Sequence, residues 1–102
     1  MAKRKIVWTE TAVRQRREIF RYWTVRNGSS AYAEKLIKLI AVRVKVIRKY
    51  PEAFIATKYP ETRISALGHF SLLYKFNENE VIITAFWDNR QDPEKLLEII
   101  KD

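Results

Sequence analysis

Between Glu10 and about Arg26, the residues Ala12, Val13, Ile19, Phe20 and Trp23 recur at helical spacing. Arg14, Gln15, Arg17, Glu18 and Arg21 fill the opposite face. A period close to 3.6 residues predicts an amphipathic helix of about four to five turns. Asn27-Gly28-Ser29-Ser30 then supplies a helix stop and a new N-cap within one short linker. A second helix is predicted to about Tyr50, where Pro51 blocks easy continuation. Its apolar stripe is Ala33, Leu36, Ile37, Ile40, Val44 and Ile47. So short a linker makes the two helices an antiparallel hairpin. Leu39, Val42 and Val46 widen the apolar arc of the second helix beyond what one packing contact needs.

Around this hairpin the period changes to two. Lys5-Ile6-Val7-Trp8 reads as a short strand, with Thr9 placed to cap the first helix. Residues 62–67, 70–76 and 81–87 are rich in β-branched and aromatic side chains and predict three further strands. Gly68-His69 makes a tight reversal between the first two, and Asn77-Glu78-Asn79-Glu80 a longer one. Phe70, Leu72, Tyr74 and Phe76 should share one face, with Ser71, Leu73 and Lys75 on the other. By the same alternation Trp87 shares a face with Ala85 and Ile83. Val81-Ile82-Ile83 is apolar on both faces, which suggests a central strand. Asp92 as cap, Pro93 at the first helical position and Glu94 predict a short helix over residues 94–101. The order βααβββα gives an α+β class: an antiparallel sheet packed by a long N-terminal helical hairpin, with a short C-terminal helix. Ala12, Ile19, Phe20, Trp23, Leu36, Ile40, Val44 and Ile47 should lie buried between hairpin and sheet.

The 102 residues allow one domain, 1–102, and no repeat or linker divides them. With 47% hydrophobic content a packed core is expected. Cysteine is absent and histidine occurs once, which argues against a disulfide framework or a metal site. No cofactor is expected, since Gly-rich phosphate loops, a Ser–His–Asp arrangement and paired carboxylates are all missing. No apolar run approaches the roughly 20 residues of a membrane span, and the basic start lacks a signal-peptide core, so a cytoplasmic protein is expected. The net charge of +8 is uneven. Residues 1–50 hold fourteen basic and three acidic side chains, while residues 75–102 hold four and seven. The first half therefore presents a positive surface, open to nucleic acid, to an acidic protein segment, or to solvent alone.

Two stretches resemble a known family. One is Tyr22-Trp23-Thr24-Val25-Arg26-Asn27-Gly28-Ser29-Ser30-Ala31-Tyr32-Ala33, leading into the helix that ends at Tyr50-Pro51. The other is Gly68-His69-Phe70-Ser71-Leu72-Leu73-Tyr74, then a hydrophobic strand and Trp87-Asp88-Asn89-Arg90-Gln91-Asp92-Pro93. Over roughly residues 6–93 the chain is similar to toxins of the RelE/ParE superfamily from bacterial type II toxin–antitoxin modules. The hairpin length and the Gly-to-Tyr spacing resemble the ParE branch. The resemblance implies one of two activities: RelE-like members cut messenger RNA on the ribosome, and ParE-like members poison DNA gyrase. It also implies a cognate antitoxin whose C-terminal segment wraps the toxin in a hetero-oligomer.

RNA cleavage through the ribose 2′-hydroxyl needs a base, an acid and a cation for charge developing on the phosphate. The groups that can serve are Lys58, Arg63, His69, Lys75 and Arg90. For Arg63 the competing role is a cross-strand partner, and for Arg90 a salt bridge to Asp88 or Asp92. A shared nuclease site requires Arg63 and Arg90 on one side of the sheet, within reach of a common phosphate. Two departures from the family pattern weigh against cleavage. Ser71 stands where many members carry a strand Arg, and no Tyr or His follows Arg90. The leading reading is thus a toxin that binds an essential target. A metal-independent endoribonuclease using Arg63, Arg90, Lys58 or His69 is the alternative, and a decayed toxin kept as an antitoxin-binding or DNA-regulatory module a third. For the antitoxin, the expected contact is the strip Leu39, Val42 and Val46 with Arg43, flanked by Lys35, Lys38 and Lys45.

Overall fold

The structure is a computed structural model that describes residues 3–91. The element order is β1 (Lys5–Trp8), α1 (Glu10–Asn27), α2 (Ala31–Lys49), a 3-10 turn at Pro51–Ala53, β2 (Ile55–Ala56), β3 (Arg63–Leu67), β4 (Phe70–Phe76) and β5 (Glu80–Asp88). The class is α+β, as the periodicity predicts. The expected helix over residues 94–101 lies outside the described residues.

Local chemistry accounts for the helix ends. Thr9 is extended and its Oγ1 accepts from Ala12 N–H at 3.1 Å, capping α1. Gly28 closes α1 with φ 64°, and the amides of Gly28 and Ser29 donate to the carbonyls of Val25 and Thr24. The β3–β4 hairpin turns on Gly68 at φ 63°, followed by His69 at negative φ, the pattern of a type II′ turn.

Three features of the sheet depart from the expectation. The strand order is β1-β5-β4-β3-β2, and β1 runs parallel to β5, so the sheet is mixed rather than antiparallel. Lys5 lies opposite Glu80 and Trp8 opposite Ile83, a pairing across about 75 residues of chain for which no local signal exists. A fifth strand, Ile55–Ala56, pairs with Ile64 and Arg63 at the far edge and is too short to show a period. Third, Leu73 opposes Ala85 while Tyr74 opposes Ile83, which leaves Thr84 as the extra residue of a β-bulge. The bulge turns Ile83 to the helix side and leaves Ala85 and Trp87 on the other, so these three do not share a face.

Both helices cover one face of the sheet. Ala12, Ile19, Leu36, Ile40 and Ile47 are buried there against Leu67, Phe70, Leu72, Tyr74, Val81, Ile83 and Phe86. Phe20, Trp23 and Val44 are only half-buried at the margin of this core. Ile37, expected inside, is 48% exposed. The opposite face carries a smaller cluster of Leu73, Ala85 and Trp87 covered by Tyr59 and Ile64. Val81 and Ile83 are fully buried with strands on both sides, which agrees with a central β5. Because β1 ends opposite Ile83, the edge of β5 beyond it is open; Gln15 Oε1 accepts from Phe86 N–H at 2.9 Å and closes it.

Candidate functional site

The four candidate catalytic residues gather as two pairs at opposite ends of the sheet. At one end, Arg90 Nε and Nη2 donate to the two Asp88 carboxylate oxygens at 3.0 and 2.6 Å, and Arg90 N–H donates to Oδ1. This is the one ion pair among the described residues. The guanidinium also lies over the Trp23 ring, 4.8 Å from its centroid. Hydrogen bonding from Arg90 holds the Asp88 carboxyl below its ordinary value, against the opposing effect of burial, and the charge of His69 lowers it further. The same bond holds the Arg90 proton more firmly. His69 is exposed in the β3–β4 turn, and its carbonyl accepts from Asn89 N–H at 2.8 Å. Ser71 is buried and donates to Asn89 Oδ1 at 2.8 Å.

Arg63 belongs to the other end. Its Nη1 donates to Phe54 O at 2.7 Å and to Glu52 O at 3.4 Å, and its guanidinium stands 5.9 Å from the Phe76 ring centroid. Beside it the Tyr74 hydroxyl donates to Pro51 O at 2.5 Å; burial pushes that hydroxyl up to about 12, although Arg63 pulls the other way. Lys58 is exposed in the β2–β3 loop next to Tyr59. Arg63 lies opposite Tyr74, and Asp88 opposite Phe70. Those four residues of β4 put roughly 13 Å between them along the strand. Two strand spacings across the sheet add about 10 Å in the perpendicular direction. Both arginines face the helix side, yet one phosphate does not span them.

Further along, a cavity of about 550 Å³ opens between α1 and the end of β5, lined by Gln15, Tyr22, Trp23, Phe86, Asp88 and Arg90 among others. Gln15 Nε2 and Trp23 Nε1 are buried there without a hydrogen-bond partner among the described residues. The carboxylate and the guanidinium at this end are already paired with each other.

The predicted apolar strip on α2 is present. Leu39, Val42 and Val46 are 45%, 64% and 41% exposed. Arg43 does not stand free beside them. Its Nη1 donates to Ser65 Oγ at 2.7 Å and to the Ala66 carbonyl, and the guanidinium lies 5.6 Å from the Phe54 ring centroid. Arg43 therefore ties α2 to β3. On the other flank of α2, sequence reasoning missed a groove of about 590 Å³ walled by Trp8, Val13, Phe20, Ile37, Ile40 and Val44. Arg16 stacks over Trp8 at its rim, 4.3 Å from the ring centroid. The signal was Ile37 at the margin of the stripe, which α1 does not cover. No group of three or more His, Cys, Asp or Glu side chains able to hold a metal occurs among the described residues. Nor is any helix among them long and apolar enough to cross a membrane.

Comparison with known proteins gives this geometry a family. Residues 6–93 match the family described as "ParE toxin of type II toxin-antitoxin system, parDE". No curated protein sequence matches the chain. A solved structure from P. aeruginosa, titled "Chromosomal ParDE TA system", shares the fold with a TM-score of 0.71 at 22% identity, over 82% of this chain and 94% of that one. The match over residues 6–93 identifies the chain as a member of the ParE toxin family, within the RelE/ParE superfamily, and so as the toxin of a type II toxin–antitoxin system.

Proposed function

We propose that this toxin inhibits growth by binding an essential target, DNA gyrase, and that a cognate antitoxin neutralises it. The observation that carries this reading is the separation of the cationic candidates. Arg63 is committed to the carbonyls of Phe54 and Glu52, and Arg90 to Asp88. General acid–base cleavage of RNA requires its groups within hydrogen-bond reach of one reacting centre, and these two pairs do not converge. A binding toxin needs only an exposed, shaped surface. The ParE family match and the ParDE title of the similar structure support the antitoxin element of the proposal, and the resemblance to the ParE branch implies the gyrase element. The antitoxin is assigned to the strip of Leu39, Val42 and Val46, because exposed contiguous apolar surface on a small protein marks a partner site. Exposed Lys35, Lys38 and Lys45 beside the strip select a segment with acidic residues next to its apolar ones.

Inducing the toxin while mapping RNA 5′ ends and assaying gyrase supercoiling tests the target. Lost supercoiling with intact transcripts is expected. Cuts at codon positions with normal supercoiling would replace this reading with ribosome-dependent mRNA cleavage.

A further inference from the structure

The flank of α1 beside the end of β5 is apolar and open. The cavity of about 550 Å³ bordered by Ile19, Trp23 and Phe86 shares Glu18 and Tyr22 with a second recess of about 460 Å³, which Arg21, Val25 and Arg26 complete. Together they make one trough along the helix, in which Tyr22 is 51% and Val25 76% exposed. At 1.5 Å per residue, the stretch from Gln15 to Val25 is about 15 Å long. Gln91, the last described residue, lines the same cavity. The chain continues from there through residues 92–102, and everything after residue 93 lies past the family match.

From this arrangement we infer that the chain's own continuation, the helix expected over residues 94–101, docks in this trough. At 100° per residue Leu96, Leu97, Ile99 and Ile100 fall within one arc of about 160°, and Glu94, Lys95, Glu98 and Lys101 fill the other side. A helix of two turns is not stable alone in water and needs a surface on which to bury that arc. Its length of about 12 Å fits the trough. Reach selects this surface. Only Asp92 and Pro93 separate Gln91 from Glu94, a span of about 11 Å at most. Gln91 lines the trough, and lines neither the groove beside Trp8 nor the hollow between Leu39 and His69 at the head of the α2 strip. Charge agrees with reach. Residues 10–49 contain eleven Lys or Arg and three Glu, a balance of +8, and residues 92–102 four carboxylates and two Lys, a balance of −2. On the border of the trough Arg21 and Arg26 have no ion-pair partner among the described residues, and Glu18 is the one unpaired carboxylate. An acidic amphipathic segment suits such a flank. The docked helix covers Tyr22 and Val25, so any partner of this flank must first displace it. The inference stands apart from the target and antitoxin assignments, which use other surfaces.

The test exploits the absence of cysteine from the chain. A nitroxide spin label is attached at Glu98→Cys, on the charged side of the segment, and its broadening of backbone amide signals is mapped by NMR in the purified full chain. The amides of Glu18, Tyr22 and Val25 should broaden most. Adding Leu96→Glu with Ile100→Glu to the labelled protein keeps the tether but removes the apolar face, and most of that broadening should be lost. Val25→Glu, at an exposed position, breaks the same contact from the α1 side and should act in the same direction. The amide spectrum of the sheet checks that each variant is folded. Equal broadening with and without these substitutions would show a tethered segment rather than a docked helix, and would overturn the proposal. Broadening strongest at Leu39, Val42 and Val46, or at Trp8 and Ile37, would overturn it by moving the segment to those surfaces. Broadening carried across in a mixture of spin-labelled and separately isotope-labelled chains would overturn it in favour of docking on a second copy.

Discussion

Arg90 and Arg63 show what a residue's neighbours in sequence do and do not reveal. Asp88 sits two positions before Arg90, so their pairing was readable as a local alternative to catalysis, and it is the one that forms. Arg63 donates to carbonyls nine and eleven residues away, contacts that exist only after the Pro51–Ala53 turn has folded back on β3. The Asp88 pair has a pH signature whose sign follows from its direction. Its folded-state pKa lies below the ordinary carboxyl value of 3.8, so its stabilisation is present above that value and is lost as pH falls through the lower folded one. Thermal melts between about pH 2 and 6 should therefore show a steeper acid decline for wild type than for Asp88→Asn. Parallel curves would mean that Arg90 binds the carboxylate no better than water does. The alkaline limb belongs to Tyr74. With its hydroxyl raised from 10.0 to about 12, stability is full below 10.0 and falls as pH climbs towards 12. Tyr74→Phe should flatten that limb while losing about 1 kcal/mol at neutral pH with the bond to Pro51 O. An unchanged alkaline decline in the variant would assign it to other groups.

At the scale of elements, α2 has three faces with separate tasks. Leu36, Ile40 and Ile47 pack into the core, Arg43 ties the helix to β3, and Leu39, Val42 and Val46 remain outside. Leu39→Glu with Val46→Glu should leave the toxin folded, because both positions are exposed, and weaken antitoxin binding more than tenfold, about 1.4 kcal/mol. Calorimetric titration reads this directly; wild-type affinity in the folded double variant would move the antitoxin elsewhere, and Ile37→Glu then tests the groove beside Trp8. Arg43→Met should behave oppositely, lowering stability by about 1–2 kcal/mol through the lost hydrogen bonds while antitoxin affinity of the folded protein holds. Helix limits were legible because caps and periodicity are local: Thr9, Gly28 and Pro51 sit where the elements change. The orientation of each helix about its axis was legible only to within one flank, which is why Ile37 was placed inside and stands outside.

For the whole molecule, concentrating a charge of +8 on one hairpin makes stability depend on salt. Raising ionic strength from about 0.01 to 0.15 M shortens the Debye length from about 30 to about 8 Å and screens the basic side chains of the hairpin from one another. Relief of about 1 kcal/mol of repulsion would raise the melting temperature of a chain this size by about 4–8 °C, and differential scanning calorimetry should show a rise on this scale. A flat response would mean that these side chains do not repel one another measurably in the folded protein. The amino-acid sequence by itself determined the helical hairpin, the β3–β4 turn, the central strand, the exposed strip on α2 and the family. Each of these is written in spacing, capping residues or motifs within a few tens of positions. Tertiary structure alone decided that β1 joins β5 in parallel, that a two-residue strand closes the far edge, and that Thr84 bulges and sends Ile83 and Trp87 to opposite faces. It also decided that Arg43 bonds across to Ser65 and Ala66 of β3 and that Arg63 and Arg90 stand apart. Strand partners and side-chain destinations of this kind are set by which distant surfaces bury together, and a period read along one segment carries no information about the segment it will meet.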